Sequence, residues 1–243
     1  MSELSNYIDE YLKTEYTLKS TLKATVQSSV YLYQKNDSAK QIVKISQKNR
    51  NDHVLRRLRG QLNKNTATIY EVCSNDEDVT VLEEYISGAT LRHIVEANGG
   101  TLKRELAVKY ALDICNGLVF IHSLGIIHRD IKPSNIIITE QGEAVIIDFG
   151  IARLTDDSKY ADTKNLGTAG YAAPEQFGIY QSGPVTDIYA VGVLLNELLL
   201  GVHPTIDTPK GKLGKVINKC IMAQMSKRYQ NVSELAEVLN KLL

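Results

Sequence analysis

The chain has 243 residues, 43% of them hydrophobic and 23% charged, a composition that excludes a disordered or fibrous polymer and allows a sizeable core in one globular unit or two packed lobes. Basic and acidic residues balance at 28 each, so no overall field draws the protein to nucleic acid or to an anionic membrane, and any partner must be recognised locally. The three cysteines, Cys73, Cys115 and Cys220, have no second cysteine or histidine at ligand spacing and are expected to be reduced and buried.

Residues 1–15 mix acidic and apolar side chains without a long apolar core, which predicts a short N-terminal extension, no leader peptide and a cytoplasmic protein. From Tyr16 the pattern is strand-like, with Tyr16-Thr17-Leu18, Val30-Tyr31-Leu32-Tyr33 and Gln41-Ile42-Val43-Lys44-Ile45, and turn residues Lys35-Asn36-Asp37-Ser38 between the last two. Val54, Leu55, Leu58 and Leu62 recur on one helical face, predicting a helix over 52–62. After Gly88 helical periodicity dominates, at 90–98, 103–124, 186–200, 213–225 and 232–242. The apolar run 191–200 is interrupted by Gly192, Asn196 and Glu197 and is too short for a membrane span, so it reads as a buried helix. A sheet-rich half, about 16–85, therefore precedes a helix-rich half, about 88–243, and this is an α+β chain with a short crossing near 84–88.

The strongest chemical signal is His128-Arg129-Asp130-Ile131-Lys132-Pro133-Ser134-Asn135, with Asp148-Phe149-Gly150 thirteen residues beyond Asn135. Here the chain resembles the eukaryotic-type (Hanks-type) serine/threonine protein kinases, whose catalytic loop and metal motif have this form. The likeness continues through the segment from Gly167 to Glu175, then Thr186-Asp187-Ile188-Tyr189-Ala190-Val191-Gly192 and Arg228-Tyr229-Gln230, and it covers residues 16–243. It implies the bilobal protein kinase fold, use of ATP with Mg2+, and transfer of the γ-phosphate to a serine or threonine of a protein substrate.

Phosphoryl transfer demands positioning and charge neutralisation more than covalent chemistry by the protein. Asp130 is expected to accept the hydroxyl proton, Lys132 to reach the transferred phosphate, and Asn135 and Asp148 to supply the hard oxygens that Mg2+ prefers. The resemblance implies a nucleotide pocket of Leu22, Val30, Ile42, Lys44, Glu83, Glu84, Ile86 and Ile137 with Asn135 and Asp148. Lys44 matches the strand lysine that holds the α- and β-phosphates. His128 is expected beneath Phe149, Asp187 behind the catalytic loop, Glu175 paired with Arg228, and Thr168 hydrogen-bonded to Asp130 and Lys132. The other histidines, His122 among them, have no carboxylate at useful spacing and are expected in surface or packing roles.

Three departures fall in the sheet-rich half. The phosphate-covering loop carries Lys23, Thr25 and Ser28 where the family has glycines, a loss of the backbone freedom that lets such a loop approach phosphates, for which Lys23 or the two hydroxyls compensate in part. No glutamate lies between Lys44 and Glu71, so the usual partner of the strand lysine is missing, with Asn51 at its position and the helix shortened at its start. Ile42 stands where alanine is usual. Glu83, at the gatekeeper position, is the expected substitute partner for Lys44, with Asp52 as the fallback, because a buried lysine without a carboxylate tends to lose its charge. These departures also fit a nucleotide-binding pseudokinase acting as scaffold or regulator. Retention of Asp130, Asp148 and Lys44 favours an active enzyme. The stretch between Gly201 and Leu213 is short for this family, which bears on substrate docking. With no sensor segment in the chain, regulation is expected from a partner or from the activation segment 151–172. There Thr163 is the expected phosphorylation site and Arg129 the expected phosphate partner.

Overall fold

The computed structural model describes residues 3–26, 28–48, 51–156, 168, 170–177 and 181–243. Thr163, the expected phosphorylation site, lies outside the described residues. The chain divides into two compact units, residues 1–63 with 67–86, and residues 64–66 with 87–243.

The first unit is built from α1 (Glu3–Glu15), β1 (Tyr16–Ala24), β2 (Ser28–Lys35), β3 (Gln41–Lys48), α2 (Asp52–Leu58), β4 (Ile69–Ser74) and β5 (Asp78–Glu84). The five strands form one antiparallel sheet in the order β1-β2-β3-β5-β4. Directly paired residues of antiparallel strands point to the same side, and successive residues alternate, so the register assigns every side chain to a face. Lys44 pairs with Leu82 and Tyr31, and Ile42 with Glu84 and Tyr33. That face is covered by α1: Ile8 and Leu12 share one buried cluster with Tyr16, Ile42, Cys73 and Leu82. Residues 1–15, expected as an extension, are thus for the most part a helix docked on the sheet.

The opposite face carries Val43 paired with Glu83, Ile45 paired with Val81, and Val72 paired with Val81. It also carries Ser74, whose Oγ donates to Asp52 Oδ2 at 2.7 Å and accepts from Arg56 Nη2 at 3.0 Å. Helix α2 therefore lies on this second face, with Val54, Leu55 and Leu58 buried beneath it. It is shorter than the expected 52–62, because Arg59 leaves helical geometry (ψ 127°) and bridges to Ile69, and Gly60 follows at φ 74°.

The second unit contains β6 (Gly88–Thr90), α3 (Leu91–Ala97), α4 (Arg104–Ser123), β7 (Ile126–Ile127), β8 (Ile136–Thr139), β9 (Ala144–Ile146), β10 (Arg153–Leu154), α5 (Pro184–Leu200), α6 (Lys212–Cys220) and α7 (Val232–Asn240). Two small antiparallel sheets, β6-β8-β9 and β10-β7, sit among the helices. Helix α5 starts with Pro184 at its first turn, where a missing N–H costs nothing, and stops at Gly201 in the left-handed region (φ 68°). Its apolar side chains Ile188, Val191, Leu194 and Leu198 are fully buried, as are Ile114 and Leu118 of α4 and Leu235 and Leu239 of α7. Gly192 permits close approach of α5 and α6: a Cβ there would lie 2.5 Å from Cys220 Cβ. Between α5 and α6 no further helix forms, as the short spacing predicts, and buried Asn196 pins that segment by donating to Val202 O and Asp207 O at 2.8 and 2.9 Å. All three cysteines are buried and free, and burial raises the thiol pKa of each. Among the described residues no helix is long and apolar enough to cross a membrane.

Candidate active site

The motif residues of the second unit converge on Asp130. The chain leaves β7 into the segment His128-Arg129-Asp130, where Arg129 takes a left-handed backbone (φ 68°) rare for a non-glycine residue. Buried Asp187 at the start of α5 holds this bend. Its Oδ2 accepts from His128 N at 2.9 Å and its Oδ1 from Arg129 N at 2.8 Å, while His122 Nε2 bonds Oδ2 at 2.8 Å. Burial alone would raise the pKa of this carboxyl, but the bond to His122, the charge of the two histidines and the backbone N–H of Arg129 hold it below its ordinary value. The expected role of Asp187 behind the loop is seen. His122, expected in a surface or packing role, is its partner. The two are 65 residues apart, and linear spacing carries no signal for such a contact.

Asp130 itself is half-buried and carries three side-chain bonds. Lys132 Nζ donates to Oδ2 at 2.7 Å, Asn135 Nδ2 to the same oxygen at 2.9 Å, and Thr168 Oγ1 to Oδ1 at 2.8 Å. Lys132 Nζ also reaches Thr168 Oγ1 at 2.6 Å, so the ammonium, the hydroxyl and the carboxylate close a ring. Thr168 meets Asp130 and Lys132 as the sequence motif predicts. Asn135 is buried in a short 3-10 turn, Pro133–Asn135, and donates a second bond to Asp130 O at 3.0 Å. With Nδ2 so engaged, the acceptor oxygen of its carboxamide is turned the other way, as a cation ligand requires. Ile147 N donates to Asn135 O at 3.0 Å, which ties the turn to the residue before Asp148.

Asp148 is exposed, with a left-handed backbone (φ 66°) and Oδ1 accepting from Gly150 N at 3.0 Å. One carboxylate and one amide oxygen suit Mg2+, which takes few protein oxygens and fills its octahedron with phosphate and water. Phe149 meets His128 edge to face at 5.2 Å, and His128 Nε2 lies 3.3 Å from Ile147 O, the packing role expected for that histidine.

Glu175 and Arg228 form the expected pair, fully buried and bidentate, Nη1 to Oε1 at 2.7 Å and Nη2 to Oε2 at 2.8 Å. Thr186 Oγ1 adds a bond to Oε1, and Arg228 Nε donates to Met222 O. Gln176 Nε2 donates to Arg129 O at 2.9 Å, joining this platform to the catalytic loop. Arg129 is buried, its Nε donating to Ile151 O.

In the first unit the expected nucleotide residues separate onto two faces. Val30 pairs with Ile45 and so lies with Val43 and buried Glu83 on the α2 face. Ile42, Lys44 and Glu84 lie on the α1 face. Lys44 Nζ meets Asp9 of α1 at 2.5 Å, not Glu83, and Asp52 is engaged by Ser74 and Arg56. The expected Lys44–Glu83 pair and its Asp52 fallback are therefore both overturned, because a one-residue shift along β3 exchanges the faces. Leu22 falls in an irregularity of the β1–β2 register and is exposed; Ile86 ends the first unit; Ile137 pairs with Thr90 and Val145 in the second.

The fold and this constellation define a protein kinase domain, and the chain matches the protein kinase domain family over residues 8–243. It belongs to that family. It is 33% identical over 207 residues, 74% of this chain and 31% of the relative, to a probable serine/threonine-protein kinase of Clostridium acetobutylicum. It is 32% identical over 223 residues, 79% of this chain and 32% of the relative, to a probable serine/threonine-protein kinase of Clostridium perfringens. A probable serine/threonine-protein kinase PknB of Bifidobacterium longum is 42% identical over 127 residues, 51% of this chain and 18% of the relative. The chain thus spans about a third or less of the length of these relatives.

Proposed function

We propose that this domain is a serine/threonine protein kinase that transfers the γ-phosphate of ATP to a hydroxyl of a protein. The observation that carries the reading is the ring of Asp130, Lys132 and Thr168, with Asn135 bonded to the same carboxylate. A hydroxyl presented to Asp130 gives up its proton to that carboxylate as its oxygen bonds to the γ-phosphorus and the bond to the β-phosphate oxygen breaks. Lys132, bonded to Asp130 and Thr168, would offset charge on the transferred group. Asn135 and Asp148 would hold Mg2+, which neutralises triphosphate charge when bound. The relatives' names support serine/threonine specificity. Three free, buried cysteines fit a reducing compartment such as the cytoplasm.

The test is incubation with radiolabelled ATP, magnesium and a mixture of serine- and threonine-containing peptides. Label is expected on the peptides or on the chain itself, falling at least about a hundredfold in Asp130→Ala. Equal labelling by that variant would overturn the assignment.

A further inference from the structure

A lysine from β3 serves nucleotide phosphates only if it lies on the face shared with the helix that follows β3, since the helix glutamate and the phosphates both meet it there. The register denies this to Lys44. The residues on the α2 face of β3 are Gln41, Val43, Ile45 and Gln47, none of them charged, while Lys44 lies under α1 and is fastened to Asp9. The missing helix glutamate follows directly: α2 faces no lysine of β3 and needs no carboxylate for one.

The α1 face is also a poor place for a triphosphate. Ile42, expected above the adenine, is 2% exposed beneath Ile8 and Leu12. A cavity of about 730 Å³ opens beside Lys44, but its lining sets Asp9, Asp76, Glu77 and Asp78 against Lys44 and Lys48, an excess of the charge that phosphate carries.

One lysine does lie on the other face. Lys23 pairs with Val30, and Val30 with Ile45, so beyond the register shift in β1 the Lys23 side chain shares the side of Val30, Ile45 and Glu83. It is exposed and stands two strands, roughly 10 Å, from Ile45. It also stands at one of the positions where the loop lost its glycines, so a cationic side chain replaces what close backbone approach supplies elsewhere.

We propose that Lys23 on β1 is the lysine that meets the nucleotide phosphates, and that Lys44 is the post to which α1 is docked. The first part rests on the reading of the domain as ATP-using. The second does not.

The experiment uses the full chain, with calorimetric titration of ATP in magnesium and amide hydrogen exchange of α1. Lys23→Ala is expected to weaken ATP at least about tenfold with α1 exchange unchanged. Lys44→Ala and Asp9→Asn are expected to leave the Kd within about threefold and to speed α1 exchange about fivefold, the scale of one partly exposed ion pair. The charge-swapped pair Asp9→Lys with Lys44→Asp is expected to restore slow exchange and to bind ATP like the wild type. A phosphate-binding Lys44 could not survive that swap, so loss of ATP binding in the swapped chain, or in Lys44→Ala, overturns the proposal. So does tight binding by Lys23→Ala. Wild-type protein that binds no ATP refutes the ATP-using reading and the Lys23 role together, while the exchange measurements still decide the role of Lys44.

Discussion

Thr168 bridges Asp130 and Lys132 with one hydroxyl, donating to the carboxylate and accepting from the ammonium. Hydrogen bonds to charged groups are worth about 1.5–3 kcal/mol each, so their loss frees the Asp130 carboxylate, the proposed general base, to turn away from this rotamer. Thr168→Val is therefore expected to lower kcat at least about tenfold and to cost roughly 1.5–3 kcal/mol of stability, which steady-state kinetics and a urea titration check together. Asp187 works at one remove, and its signature is in pH. Its folded pKa is depressed, so the stability it supplies is fully present above the unfolded value, about 3.9, and is lost as pH falls through the folded pKa. Asp187→Asn is expected to be less stable than the wild type at neutral pH by a constant margin that narrows only below about pH 4. A margin unchanged down to pH 2 would show that the carboxylate's charge is not what holds the loop. The Asp187–His122 bond also marks where reading the sequence stops: the aspartate stands in a recognisable motif, whereas the histidine is placed by the packing of α4 against α5, which no local pattern encodes.

At the level of elements, the sheet of the first unit is sandwiched by α1 on one face and α2 on the other. The existence of β2 and β3 was legible from their alternation, but the side each residue faces was not. In Ile42-Val43-Lys44-Ile45 apolar residues fall on both faces because both are covered, so periodicity cannot choose the register. Helix α1 did leave a trace, in Ile8 and Leu12 at a spacing of four. Both side chains are at most 2% exposed, so Leu12→Ala is expected to cost about 2–5 kcal/mol of stability, seen as a lowered midpoint in denaturant. Substitution without such a loss would mean that α1 is not docked. In the second unit the contact of α5 with α6 depends on an absent side chain. Gly192→Val would drive methyl groups into Cys220 and Ile221, and about 1–3 kcal/mol of destabilisation is expected by the same titration.

Across the whole molecule, the two units differ in how much of their chemistry the sequence exposes. The second concentrates its functional groups in contiguous motifs, because the loop from His128 to Asn135, the turn at Asp148 and the platform at Glu175 each place several side chains by local geometry. The first unit places single residues by strand pairing, so a shift of one position relocates them all. This division makes nucleotide binding the sharpest global test. A ligand that binds only the folded state stabilises it by RT ln(1 + [L]/Kd), about 2.7 kcal/mol at a hundredfold excess over Kd. For a chain of 243 residues that is roughly 5–10 °C in Tm. Magnesium with ATP is expected to raise Tm by this amount, and ATP with a chelator by much less, because on the proposed reading Asn135 and Asp148 would meet the phosphates through the cation. Asp148→Asn is the decisive variant. Asp148 is exposed and holds a left-handed backbone, a conformation asparagine tolerates as well as aspartate, so the substitution removes one charge and leaves the fold intact. Its Tm without nucleotide is expected to match the wild type within about 1 °C, and its shift with magnesium and ATP to fall below half. An undiminished shift would place the cation elsewhere, and a lowered Tm without nucleotide would make Asp148 a structural residue instead of a metal ligand.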